Sequence, residues 1–270
     1  MKKLIIAALF MGLIIFSTAQ EIEFIKQDWD LALKKAKEGN KMILVDYFTD
    51  WCGWCKHMDK TTFSDSAVVK LVNEKFIALK INAEKDKGIK LAMKYRVFVF
   101  PTFAMYDSQG RLVQKVLGFK DAASFIRELE KVTDMAGKGK FFSGISSELE
   151  PGFPELYMLA YEGKGKRKFP TEEETKDFLS KQKDLYSEVS FSVLMRFAAG
   201  DSLHNFFLEN MDKYKELFGE EDVSYKLSSI VDGKYRKCLE NNDSIIFTEV
   251  LGLVDKYMGA NAPYMRFAYT

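Results

Sequence analysis

The chain has 270 residues, 47% hydrophobic, 29% charged and 14% aromatic. That is enough apolar mass to bury a core and enough length for two domains, and it excludes a disordered, collagen-like or low-complexity chain. Forty Lys and Arg stand against 39 Asp and Glu, so no global positive field exists to hold nucleic acid or an anionic membrane surface by charge alone.

Lys2 and Lys3 precede an apolar run over residues 4–16, and Ser17-Thr18-Ala19 supply the small residues of an A-x-A-like cleavage pattern. This predicts a secretory signal peptide over residues 1–19. The run falls short of the roughly 20 apolar residues a membrane-spanning helix needs, so no stable span is expected after cleavage. Loss of Lys2 and Lys3 takes the formal charge from +1 to −1. The expected location is the periplasm or the exterior, where each of the three cysteines needs a reason to survive oxidation. Cys52 and Cys55 are separated by two residues, and Cys238 lies far along the chain.

From residue 21 onward the apolar pattern alternates between period 2 and period 3.6, which predicts strands interleaved with helices. A short strand is expected over 21–26. Asp28 is placed to cap a helix that starts at Trp29 and stops at Gly39-Asn40, and 42–48 reads as a buried central strand. A helix from 52 to 60, a second over 66–74, a strand over 76–82 and a helix over 87–95 follow. A hairpin over 102–107 and 112–117 turns at Ser108-Gln109-Gly110, and Asp121 caps a last helix to Lys131. Residues 134–153 are rich in Gly, Ser and Pro and read as a linker or an ordered crossing segment. From 154 to 270 strand signals vanish and an all-α domain is expected, with helices over 154–161, 171–186, 191–199, 203–218, 223–241 and 245–258. Thr171 with Glu174 forms a capping box, and Ser244 is the expected cap of the last helix. The basic run 163–168 reads as a solvated loop.

Over residues 20–133 the sequence resembles the thioredoxin-like proteins. The resemblance is carried by Trp51-Cys52-Gly53-Trp54-Cys55-Lys56 directly after the apolar strand, by Asp46 within that strand, and by Lys80, Phe100-Pro101-Thr102 and Gly118 further on. With Met58 and Thr62-Phe63 following the motif, it is most similar to the exported branch that includes the C-terminal domain of the transmembrane electron-transfer protein of the bacterial periplasm. The implied fold is a central mixed sheet flanked by helices. The implied activity is thiol–disulfide exchange on exported proteins, using no cofactor or metal and recharged by an upstream electron-donor thiol protein.

The residues argue the chemistry in the same direction. At the start of a helix, Cys52 faces unpaired backbone N–H groups and the positive end of the helix dipole, both of which favour a thiolate nucleophile. Cys55, one turn on, can resolve the mixed disulfide. A purely structural bridge would close too short a loop to stabilise much, and half of a zinc site lacks its second cysteine pair. Asp46 admits two readings, a solvent-facing edge residue or an acid buried beneath the disulfide. The resemblance implies the second, an acid that moves the resolving thiol's proton with Lys80 on the neighbouring strand. It also implies a cis Pro101 against the cysteines, with the Phe100 backbone pairing an extended substrate. Trp51, Gly53, Trp54 and Phe100 are the substrate-facing set.

Trp54 stands where thioredoxin has Pro, and Phe100 replaces a smaller aliphatic. No basic residue separates the two cysteines, which points to a reductase or isomerase rather than a strong oxidant. His57 and Met58 with the two thiols offer an alternative, a Cu(I) carrier, and a non-catalytic protein-binding module is a third reading. His204 is expected as a surface or capping residue and Cys238 as a buried small hydrophobe.

Overall fold

In the computed structural model, residues 21–162 and 165–269 are described. The expected signal peptide lies outside the described residues, as do Gly163 and Lys164 of the basic run.

The continuous apolar run Met42–Phe48 (β2) forms the centre of a five-stranded sheet. It pairs in parallel with β3 (Phe76–Asn82), from Met42 opposite Phe76 to Phe48 opposite Asn82. On its other side it runs antiparallel to β4 (Thr102–Tyr106), which turns back into β5 (Leu112–Leu117). β1 (Ile25–Lys26) closes the far edge, giving the order β1-β3-β2-β4-β5. The strand expected over 21–26 shrinks to these two paired residues. Upstream of them, the Glu21 carbonyl accepts from Asn73 Nδ2 at 2.9 Å, so a side-chain amide stands in for the ladder.

Strand alternation sorts β2 into two layers. Ile43, Val45 and Tyr47 enter one and Met42 and Leu44 the other. The second layer is covered by Met58 of α2 (Gly53–Lys60), Phe63, α3 (Ser66–Lys75) and α5 (Ala122–Gly137). α5 outruns its expected end because Val132 is buried and Met135 and Ala136 still pack on this layer. The first layer is covered by Ala32 and Ala36 of α1 (Trp29–Gly39) and by Leu91 and Ala92 of α4 (Asp86–Lys94). Asp28 caps α1 by accepting from Leu31 N–H at 3.0 Å, and Asn40 ends it with φ 47°.

The rest of the chain is helical: α6 (Glu155–Met158), α7 (Glu172–Ser180), α8 (Glu188–Phe197), α9 (Gly200–Glu209), α10 (Met211–Phe218), α11 (Glu220–Asn241), α12 (Ser244–Tyr257) and α13 (Ala262–Tyr269). Two expected helices are broken. The one over 171–186 stops at Ser180, and Ser187 caps its successor by accepting from Ser190 N–H. The one over 203–218 divides at Asn210, whose Nδ2 donates to Phe206 O at 2.8 Å and competes with the helical backbone. Asp243, not Ser244, caps α12, and α13 was not expected.

The helices do not stand apart from the sheet. The first-layer cluster runs without a gap from Ile43 and Leu91 into Tyr157, Phe191 and Tyr214. Buried ion pairs cross the same boundary. Lys94 Nζ lies 2.7 Å from Glu188, Arg96 Nε donates to Asp222 at 2.8 Å, and Lys115 pairs with the other oxygen of Asp222. Of the two readings of 134–153, linker or ordered crossing, the segment takes the second: it packs between the two parts, with Phe142 N–H donating to Leu112 O at 2.9 Å and Gly144 N–H to Leu217 O at 3.0 Å.

Candidate active site

β2 delivers the chain to a short turn, where Cys52 N–H donates to Thr49 O at 3.1 Å and α2 begins. Cys52 is the N-cap of α2, in extended backbone geometry, and Cys55 N–H donates to its Sγ at 3.0 Å. The Cys55 amide of the first turn is thus aimed at sulfur at the positive end of the helix, the arrangement that favours a thiolate once the bond is open. Cys52 and Cys55 are joined in a disulfide and are 4% and 5% exposed. Cys55 and Met58, three residues apart, form the buried face of α2.

Asp46 lies in the central strand, flanked by Lys80 on β3 and Phe103 on β4, so the edge position is excluded. By alternation it belongs with Leu44 on the sheet face that α2 covers. It is buried, and its Oδ1 accepts no hydrogen bond. Lys80 Nζ approaches its Oδ2 to 3.5 Å, pairs with Asp59 of α2, and sits 4.9 Å from the Phe24 ring centroid. Burial pushes the Asp46 carboxyl up from 3.8 to about 7; the Lys80 cation opposes this and the Asp59 charge adds to it.

The Phe100–Pro101 peptide bond is cis, and Pro101 O accepts from Gly118 N–H at 2.8 Å. The Phe100 ring meets the Trp51 indole edge to face, with centroids 5.8 Å apart at 89°, which brings this loop beside the residue preceding Cys52. Trp51 is 52% exposed and Trp54 61%. Trp54 packs at 5.4 Å from Phe119 and 5.7 Å from His57. Gly53 is exposed, with open space where a side chain would sit.

Three contributors were not anticipated. Phe119 backs Trp54, Glu84 accepts from Trp51 Nε1 at 2.8 Å, and Arg167 donates to Glu84 at 2.6 Å. Phe119 adjoins the noted Gly118, but nothing in spacing links Glu84 to Trp51 or Arg167 to either. Of the soft ligands a copper carrier would need, Met58 is fully buried in the second layer and His57 packs tilted against Phe119 with centroids 5.1 Å apart. Among the described residues, no group of three or more His, Cys, Asp or Glu is placed to hold a metal. Cys238 is a free, buried thiol whose S–H donates to Asp243 O at 3.3 Å, and His204 Nε2 lies 3.1 Å from Ala198 O.

Residues 29–133 match the family model described as a thioredoxin-like domain. The thiol:disulfide interchange protein DsbD of Vibrio vulnificus (strain CMCP6) is 30% identical over 122 residues, covering 42% of this chain and 20% of that protein. DsbD of Yersinia pestis (strain Pestoides F) is 35% identical over 98 residues, covering 35% of this chain and 16% of that protein. The chain thus spans about a fifth of the length of the curated relatives it matches. Among solved structures, a putative disulphide-isomerase from Bacteroides thetaiotaomicron is 35% identical, with 44% of this chain and 98% of that one covered at a TM-score of 0.40. The C-terminal domain of Neisseria meningitidis DsbD in the oxidised form is 30% identical, with 38% and 87% covered at a TM-score of 0.33. The chain therefore carries, over residues 29–133, a domain of the thioredoxin-like family whose Cys52–Cys55 disulfide supports thiol–disulfide exchange.

Proposed function

We propose that this chain is an exported thiol–disulfide oxidoreductase that reduces or isomerises disulfides of other exported proteins and uses no cofactor beyond its own dithiol. The observation that carries the reading is Cys52 at the N-cap of α2, with the Cys55 amide on its sulfur and a buried carboxyl, Asp46, beneath the same helix.

In the reduced chain, the Cys52 thiolate attacks one sulfur of a substrate disulfide, forming a mixed disulfide and expelling the other substrate sulfur as a thiolate. Asp46 takes the proton of Cys55. The Cys55 thiolate then attacks Cys52 Sγ, closing the Cys52–Cys55 bond and releasing the second substrate sulfur. Two electrons pass from the dithiol to the substrate, and an upstream dithiol protein returns them. For isomerisation, a different thiolate of the same substrate attacks the substrate sulfur of the mixed disulfide in place of Cys55, which forms a new substrate disulfide and frees Cys52 as the thiolate.

Trp51, Trp54 and Phe100 provide the apolar surface beside the sulfurs, Gly53 leaves room above them, and the backbone around Phe100 and Pro101 pairs with an extended substrate segment. Lys80 tunes Asp46. The patterned leader over 1–19 supports export. Among the described residues no helix is long and apolar enough to cross a membrane. Residues 20–133 are the exchange domain, and 154–270 are joined to it by 134–153.

The deciding experiment is Cys55→Ala, which removes the resolving sulfur. The variant is expected to accumulate covalent adducts with disulfide-bearing proteins that dissolve in dithiothreitol, while Cys52→Ala forms none. Equal trapping by both variants would refute the assignment. Equilibration with glutathione buffers gives the direction, and a potential near −120 mV would mark an oxidant instead.

A further inference from the structure

We infer that Arg167, from the helical half of the chain, is a positioning residue for protein substrates: through Glu84 it holds the Trp51 indole as a fixed wall beside the reactive disulfide. The inference rests on the proposed exchange reaction and adds to it a role for the C-terminal region.

Trp51 immediately precedes the nucleophile and stands half exposed against Phe100. Its Nε1–H donates to Glu84 Oε2 at 2.8 Å. The other oxygen of that carboxylate accepts from Arg167 Nη2 at 2.6 Å, from a residue 83 positions further along the chain. Both oxygens of Glu84 are therefore engaged, one on each side, which removes the rotation that a singly bonded carboxylate keeps. Arg167 is itself anchored, since its Nε donates to Glu162 O at 3.1 Å. Glu84 is held from behind as well, its N–H donating to Asn82 Oδ1 at 3.0 Å and Asn82 Nδ2 donating to Asp50 Oδ1 at 2.9 Å. The Glu84 side chain is 14% and the Arg167 side chain 31% exposed, so solvent screens this bridge less than it does more exposed pairs such as Lys87 with Asp30.

The consequence depends on substrate size. A small disulfide has little surface to lay on the indole and so gains little from its being fixed. A polypeptide that lies across Trp51 and Phe100 gains from a wall that does not have to be ordered on binding, because immobilising a loose aromatic at an interface opposes association. Loss of Arg167 should therefore weaken capture of protein disulfides and leave the chemical step alone. Lysine at the same position offers a point charge without the two directional N–H groups that serve Glu84 and Glu162 together, so it should restore only part of the effect.

The test uses the full chain and the variants Arg167→Ala, Arg167→Lys and Glu84→Gln, with insulin as the protein disulfide and hydroxyethyl disulfide as the small one. Steady-state kinetics are combined with the indole N–H resonances of the chain's three tryptophans, the Trp51 signal being assigned by its loss in Trp51→Phe. For Arg167→Ala, KM for insulin is expected to rise about 5-fold at unchanged kcat, with the small-disulfide rate unaltered. The Trp51 indole proton is expected to exchange faster with water while the Trp29 signal stays put. Glu84→Gln should match Arg167→Ala, and Arg167→Lys should fall between it and the wild type. An unmoved Trp51 resonance, or rates on both disulfides falling in parallel, would overturn the inference. If the wild type exchanged with neither disulfide, the reaction itself would be refuted, a result distinct from an unmoved indole.

Discussion

Replacing Asp46 by Asn tests the least comfortable feature of the fold, a carboxyl in the central strand with one oxygen unpartnered. Burial raises its pKa from 3.8 to about 7. At about 1.36 kcal/mol per pH unit, that difference is a penalty of about 4 kcal/mol on the folded state at pH 8. The folded chain binds this proton more tightly than the unfolded one, so the group's contribution is most favourable below pH 4 and worsens as pH climbs from about 4 to about 7. Asparagine removes the charge but leaves amide donors without partners and breaks the contact with Lys80, costs of about 1–2 kcal/mol. The variant should therefore be more stable than the wild type by about 2 kcal/mol at pH 8 and less stable by about 1 kcal/mol at pH 4. Urea unfolding of the oxidised proteins at pH 4, 6 and 8 and constant ionic strength reads this directly. A displacement of the same size at all three pH values would refute the reasoning. The variant also lacks the proton acceptor for Cys55, so release of the mixed disulfide should slow by about 10-fold or more at neutral pH, with attack by Cys52 unaffected.

Removing the Lys80 cation as Lys80→Met takes away the charge that opposes the rise at Asp46, so the pH profile of the release step should move to higher pH. An unmoved profile would show that Lys80 does not act on Asp46. Asp222→Ala strands two buried cations, Arg96 and Lys115, that meet on its carboxylate at the boundary between sheet and helices. A loss of about 3–5 kcal/mol is expected in chemical unfolding, and a loss under 1 kcal/mol would mean that water reaches the pair.

Several elements were legible because their causes are local. The run from Met42 to Phe48 is apolar on both faces, Asp28 and Thr171 cap within one turn, and Cys52 and Cys55 share a helix end by spacing alone. In the helical half the expected boundaries moved where a polar side chain took a backbone group within about one turn of itself. Asn210 breaks one expected helix while its Oδ1 accepts from Tyr186 OH at 2.5 Å, and Asp243 takes the cap expected of Ser244.

The amino-acid order alone determined the reactive pair, the strand that presents it and the alternation of strands and helices up to α5, since hydrophobic period and capping act over a few residues. Only the folded chain decided what surrounds that pair. The Asp46 carboxyl is pushed up to about 7 because it is buried, with the Asp59 charge adding to the rise and the Lys80 cation opposing it; Trp51 is held by Glu84 and by Arg167, and Arg96 finds Asp222 from 126 residues away. Charge interactions and burial depend on distance through space, and that distance is set only when the sheet, its covering helices and the helical half have packed together.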